Sequence, residues 1–490
     1  MLIEPIFAHA RATPSDIAIT DDFGQYTYQQ IAAMVAGLGM YIAQQTTRPN
    51  VGLLLPTGMG FVASFYGTLL AGKTVVPINF LLGDREVGHV IQNSEIDTVI
   101  TIPQLGARLA NTPLKVIDLT QLPKTPPAML EPKIPEKSPD DLAVLMYTSG
   151  TAGLPKGVML TYNNLHSDVQ ACIEAANLQQ KHKFLGVIPL FHAFGMTAMM
   201  LAPIELGSPV VYMARFNPAA TIEALRKHQA SIIFGVPSMF GAMLHVKNAT
   251  PDDFKSIYAI ISGGEPLSSV IREGFPKRFG IPVYEGYGLT ETSPVVSLNS
   301  PVGSKPGSIG KPLPGVKVRI IDENGNDLPA GQEGEIWLGG PMVMKGYYKM
   351  PDETAALLTA DGFLKTGDLG KLDEDGFLYI TGRKKDLIIV AGEKVAPREV
   401  EEILLRSPAI AEAAVVGRKD PTRGEVVVAF VVPAPEKTVK PDELRAFCRD
   451  QGLPLFKIPR DIVVTDQLPR SPTGKVLKRV LAEQAATPAT

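Results

Sequence analysis

The chain has 490 residues, too many for one typical core, so two or more domains are expected. Its 45% hydrophobic and 20% charged content is that of an ordinary folded protein, and a net charge of -3 gives no reason to expect nucleic acid as a partner. Two cysteines far apart in sequence, Cys172 and Cys448, make neither a disulfide framework nor a metal site; they read as packing residues and fit a reducing cytoplasm. The start of the chain lacks a basic stretch followed by an apolar core, so no signal peptide is visible. The longest apolar runs, 61–71 and 196–204, are too short to span a bilayer, which leaves at most peripheral membrane contact.

Residues 31–78 alternate between helical and strand periods, with strands at 51–55 and 74–78 around a helix at 60–71. That alternation predicts a parallel sheet covered by helices. Six prolines in 121–140 make a stiff connector. An apolar strand at 142–146 then leads into Tyr147-Thr148-Ser149-Gly150-Thr151-Ala152-Gly153-Leu154-Pro155-Lys156-Gly157. Glycines let successive N–H groups point at one spot, and such a nest binds anions. The hydroxyls of Thr148, Ser149 and Thr151 add neutral donors and Lys156 a mobile positive charge, which together suit a polyphosphate. The spacing is not that of a Walker A loop, because Lys156 is followed by glycine. Taken alone, the stretch also reads as a flexible surface loop.

The same grammar resumes beyond it. Helices are expected at 163–177, 218–229 and 268–279, and strands at 184–188, 231–236, 257–262 and near Val283. Ligands collect at the strand ends of such sheets, so 190–195, 237–240, 263–267 and 286–291 are the segments to watch. From about Val316 the texture turns to β hairpins, with a turn signal at 322–326. Beyond Gly382 it becomes a charged mixture of short strands (412–417, 426–432, 461–464) and helices (397–406, 440–451).

Four further stretches carry chemistry. In Gly286-Tyr287-Gly288-Leu289-Thr290-Glu291 the glycines would let backbone approach a flat ring, Tyr287 would stack on it, and Glu291 offers a hard oxygen for Mg²⁺. The same residues also fit a glycine-rich turn with a solvated glutamate. Asp368, in Lys365-Thr366-Gly367-Asp368, could accept both hydroxyls of a ribose or simply cap a turn. Gly382-Arg383-Lys384-Lys385-Asp386 is a solvated charge run or, at the change of texture, a nucleotide contact and hinge. Pro469-Arg470-Ser471-Pro472-Thr473-Gly474-Lys475 is a rigid turn that would aim Lys475 in one direction.

In this order the five stretches resemble the adenylate-forming superfamily of acyl-CoA synthetases, peptide-synthetase adenylation domains and firefly luciferases, and the resemblance covers essentially the whole chain. It implies an α/β fold. A large N-terminal domain (1–384) would hold helix-covered, mostly parallel sheets and a β-rich subdomain at about 310–384, followed by a small mobile α+β domain (385–490). It implies that Thr148, Ser149, Gly150, Thr151, Gly153 and Lys156 grip the ATP phosphates, with Glu291 and Thr151 at Mg²⁺. Gly263, Gly264, Glu265 and Pro266, with Gly286, Tyr287, Gly288 and Thr290, would frame adenine, and Asp368 with Arg383 the ribose. Lys475 would bridge the carboxylate and the α-phosphate, and Lys385 would be the hinge. Ala152 stands where many relatives have threonine, a modest change in ATP affinity at most.

Pro189-Leu190-Phe191-His192-Ala193-Phe194-Gly195 resembles the stretch lining the family's acyl site. His192 would act as a gate or in thioester formation, and Phe191, Phe194, Gly195, Met196 and Met239 would line an alkyl tunnel. Between 184 and 202 there is no acid to pair with a substrate ammonium, and only fifteen residues follow Lys475, too few for a carrier domain. The expectation is a free-standing carboxylic acid–CoA ligase using ATP, Mg²⁺ and CoA, on a medium- or long-chain fatty acid, with a homodimer possible. An aromatic-acid ligase and an enzyme loading an acyl carrier protein remain alternatives. A non-enzymatic relative would be expected to lack Glu291 or Lys475.

Overall fold

The computed structural model describes residues 2–122, 132–148, 154–470 and 475–486. Two large sheets form the N-terminal part, and both are mostly parallel in the interior. One holds the expected strands Asn50–Leu54, Thr74–Pro77 and Leu142–Thr148, with the helix Met59–Leu70 buried on almost every side. The other runs Val210–Tyr212, Phe184–Gly186, Ile232–Gly235, Ala259–Ser262, Val283–Gly288 as neighbours, fully paired and apolar as interior parallel strands are.

Three local features differ from the pattern expected. The strand Leu142–Thr148 is followed by the antiparallel strand Lys156–Thr161, with Thr148 opposite Lys156, a pairing that the local pattern did not announce. The segment Ile17–Asp21 inserts parallel to Val210–Tyr212, a pairing across nearly two hundred residues that no local period could announce. The turn at 322–326 closes one bridge, Ile321 with Asp327, but the strand Lys317–Ile321 takes Gly334–Gly339 as its ladder partner.

The helical run after His192 is also unusual. Ala193–Met196 is α-helical, Thr197–Leu201 is a π turn, and Ala202–Leu206 is α-helical again. Pro203 supplies the cause: it has no N–H, and its ring would collide with the carbonyl of Met199 in a regular helix. That carbonyl instead accepts from the Tyr212 hydroxyl at 2.7 Å.

Strands Lys317–Ile321, Gly334–Gly339, Leu364–Leu372 and Leu378–Arg383 form a four-stranded antiparallel sheet. A single 3-10 turn, Lys384–Asp386, separates it from a second sheet built on Ile388–Val390, Ile410–Asp420 and Gly424–Pro433. In that last sheet period-2 alternation buries both faces. Val415, Val427, Ala429 and Val431 pack with Val400 and Leu404 on one side; Ala414, Val416, Val428 and Phe430 pack with Leu481 on the other. Among the described residues no helix is long and apolar enough to cross a membrane.

The core around Leu404 shares no residue with the main core. Leu404→Ala is therefore expected to lower one of two thermal transitions, by about 2–5 kcal/mol of local stability, and leave the other in place. Calorimetry that shows a single transition moving as a whole would contradict this.

Candidate active site

Consecutive parallel strands Ile232–Gly235, Ala259–Ser262 and Val283–Gly288 end side by side, and their C-terminal ends open on one cleft of about 3480 Å³. Thr148, Lys156, His192, Gly263–Pro266, Gly286–Glu291, Asp368, Arg383, Lys385 and Lys475 all line it. Its size exceeds that of a single drug-sized pocket several-fold, so it is a gap between two units of chain that can hold more than one ligand. Ser149, Gly150, Thr151 and Gly153 lie outside the described residues.

Asp368 is the most buried charge in the cleft, with 2% of its surface exposed. Its Oδ2 accepts from the Tyr287 hydroxyl at 2.5 Å, and its Oδ1 meets Arg383 Nε at 2.8 Å. Each oxygen has a second lone pair, so the carboxylate can still accept from a sugar hydroxyl. Burial, and then the Asp368 charge, push the Tyr287 phenol well up, which keeps it a donor.

The glycines of this strand serve backbone packing more than access to a ring. A Cβ on Gly288 would lie 1.6 Å from the Pro294 carbonyl oxygen, and one on Gly286 would lie 3.1 Å from Leu298. Both are constrained by the reverse strand Val295–Leu298 folded against them. Gly264 is different: its φ of +85° is one that glycine adopts without strain.

Glu265, expected beside adenine, has its Oε1 taken by the backbone N–H of Val476 at 3.0 Å. That bond pins the C-terminal segment to the large unit. Arg470 and Val476 form an antiparallel bridge, and Leu477 N–H donates to the Pro469 carbonyl at 2.8 Å. Lys475 remains open to the water filling the cleft, although atoms of both units crowd it. That crowding, then the Arg383 charge, lowers its pKa, while Glu265, Glu291 and Asp368 oppose the shift. Lys385 is also shifted down, by partial burial and by Arg383.

Glu291 opens the other end of the cleft, on the 3-10 turn Thr290–Thr292. Its Oε1 accepts from Tyr347 at 2.7 Å, and the Lys156 ammonium lies 5.2 Å from the centre of the Tyr347 ring. Tyr347 carried no sequence signal. Among the described residues no three His, Cys, Asp or Glu side chains cluster as a metal site. One hard carboxylate fits Mg²⁺, which commonly binds through one or two carboxylates and the substrate's phosphates.

The acyl side requires two corrections. Gly195 faces away from the cleft, since a Cβ there would lie 2.2 Å from the Pro189 carbonyl oxygen. Met196, on the helical turn before the π turn, is fully buried in the main core, as are Met199 and Met200 within it, and Thr197 and Ala198 line the cleft instead. Phe191, Phe194 and Met239 do line it. Phe191 meets Phe80 edge-on with centroids 5.0 Å apart, and Phe194 meets Phe234 at 5.9 Å. Beyond them the wall is Cys172, Ala176, Ala198 and Ala202, side chains small enough to leave a passage.

A family model described as AMP-binding enzyme matches residues 6–348, and one described as AMP-binding enzyme C-terminal domain matches 399–475. A long-chain-fatty-acid–CoA ligase of Bacillus subtilis (strain 168) is 37% identical over 481 residues, covering 89% of this chain and 85% of its own. A feruloyl-CoA synthase of Amycolatopsis sp is 33% identical over 479 residues, covering 96% of each. The solved structure of o-succinylbenzoate CoA synthetase from Bacillus subtilis, in complex with its acyl-adenylate intermediate, has a TM-score of 0.88 and 32% identity over 97% of both chains.

His192 gives a pH test. Its close surroundings, then the Lys475 charge, lower it from 6.5 to about 4, so the ring is neutral in the fold. The unfolded chain binds this proton first, so stability falls as pH drops from about 6.5 towards 4. His192→Gln should flatten that part of the profile. Denaturant unfolding at pH 7 and pH 5 measures it, and an unchanged pH difference would show that His192 does not contribute.

Proposed function

Because the chain belongs to the AMP-binding enzyme family of adenylate-forming enzymes and is an AMP-forming acid–thiol ligase, we propose that its acid is a medium- or long-chain fatty acid, joined to CoA by way of the acyl-adenylate. The observation that carries this reading is a polar nucleotide cleft continuous with a passage walled by Phe194, Phe234, Ala198, Ala202, Cys172 and Ala176. An alkyl chain suits such a wall, gaining about 0.8 kcal/mol per buried methylene.

In the first step a carboxylate oxygen attacks the α-phosphorus and the bond to pyrophosphate breaks. Lys156 and Thr148 hold the outgoing phosphates, and Glu291 takes the Mg²⁺ that neutralises their charge. Asp368 and Arg383 set the ribose, and the peptide around Gly264 the base. Lys475, which lines the same cleft, stabilises charge on both the carboxylate and the α-phosphate, a matter of positioning and electrostatics. In the second step the thiol of CoA attacks the carbonyl carbon and AMP leaves. Lys475 and an entering thiol compete for one place, so residues from about 385 onward turn as a body about Lys385 between the steps. The one-turn junction Lys384–Asp386 is the short link such a motion needs.

An aromatic acid is the second reading, supported by the similarity to a feruloyl-CoA synthase. Pyrophosphate release over acids of two to eighteen carbons and over cinnamic acids separates the two, with the optimum expected among alkyl acids longer than about eight carbons. A best substrate among the cinnamic acids would reverse the choice. Comparing CoA with an acyl carrier protein as acceptor tests the remaining alternative.

Two substitutions follow from these roles. Lys475→Ala should cost on the order of 3 kcal/mol or more of transition-state stabilisation, about a hundredfold in acid-dependent ATP–pyrophosphate exchange; near-normal exchange would remove Lys475 from the chemistry. Ala198→Phe should narrow the passage and move the optimum to shorter acids. If the ranking of acids does not move, the alkyl chain runs elsewhere.

A further inference from the structure

We propose that Tyr347 is a positioning residue for the triphosphate end of the site, holding the Glu291 carboxylate and the Lys156 ammonium in one arrangement. This rests on the reading of Glu291 as the Mg²⁺ carboxylate and Lys156 as a phosphate contact.

Tyr347 is fixed before it touches either group. The strand Gly346–Tyr347 pairs antiparallel with Lys156–Thr161, Tyr347 lying opposite Val158, and Tyr348 N–H donates to the Gly157 carbonyl at 2.8 Å. Its own N–H donates to Thr354 Oγ1 at 2.9 Å, and only 7% of the residue is exposed. The ring therefore has one place to be.

From that place its two ends meet charges of opposite sign. The hydroxyl donates to Glu291 Oε1 at 2.7 Å, and the ring face stands 5.2 Å from Lys156 Nζ, within cation–π range. Core packing alone asks only for the ring; it gives no reason for the hydroxyl to end on a carboxylate in the cleft. The bond engages one oxygen of Glu291 and leaves the carboxylate with acceptor capacity for a cation. A second tie, Met344 N–H to the Glu291 carbonyl at 2.8 Å, holds the backbone of the same residue. Lys156 begins a strand of one large sheet and Glu291 stands on the 3-10 turn that follows a strand of the other, and the Tyr347 side chain touches both.

The test uses Mn²⁺ with ATP and no acid, followed by electron paramagnetic resonance, so that binding is read without turnover. Tyr347→Phe keeps the ring and the fold and removes only the hydroxyl. It should weaken Mn²⁺·ATP binding by about tenfold, the worth of a hydrogen bond to a charged group, with KM for acid and CoA unchanged. Tyr347→Leu should further weaken binding of ATP without metal, through the lost ring over Lys156. Glu291→Gln is the control for the premise: if it binds Mn²⁺·ATP like the unaltered protein, the metal reading of Glu291 fails. If Glu291→Gln weakens binding and Tyr347→Phe does not, the premise stands and the role of Tyr347 is overturned. Metal-free ATP binding that is the same in the Phe and Leu variants would overturn the Lys156 half.

Discussion

Asp368 carries a negative charge at a depth where water reaches almost none of it, and such a charge is tolerated only with partners. Its partners come from two directions. Tyr287 stands on the last parallel strand of the large sheet, and Arg383 ends the four-stranded sheet at the point where the chain passes to the small unit. Removing either would strand part of a buried carboxylate, so the interaction fixes how the two sheets meet. The cleft, the junction at Lys384–Asp386 and the approach of Lys475 are all placed relative to that contact.

The two units are held together by contacts of unequal character. Lys394 with Glu323 is an exposed pair, which contributes little in water. The bond from Val476 N–H to Glu265 lies deeper, and burial raises the Glu265 carboxyl. A contact set of this kind is firm enough to define an arrangement and weak enough to be exchanged for another, which is what the proposed turn of residues from about 385 onward requires.

The acyl side shows how one backbone constraint reshapes a pocket. Pro203 disallows a regular helix, the π turn absorbs the misfit, and the Tyr212 hydroxyl accepts the consequence by donating to the freed Met199 carbonyl. The rotation places Ala198, rather than the neighbouring methionines, on the cleft. A passage walled by small side chains follows from a proline several residues away.

Much of this was legible in the chain read alone. Periods of 3.6 and 2 located the helices Met59–Leu70, Pro218–His228 and Pro397–Leu405 and the strands between them, because burial on one face or two leaves its mark on consecutive residues. The order of the glycine-rich and charged stretches was enough to recognise the family and with it the α/β fold. Side-chain direction was not legible. Gly195 and Met196 sit in a run that suggested a tunnel, yet Gly195 is set against the Pro189 carbonyl and Met196 is packed into the main core. Glu265 offered itself to a ligand and is held by a backbone N–H more than two hundred residues away. Tyr347 gave no signal, since its partners Glu291 and Lys156 belong to other parts of the chain. Local sequence determines periodicity, turns and the stock of charges; which charges face one another depends on contacts between distant segments, and those exist only once the sheets have packed.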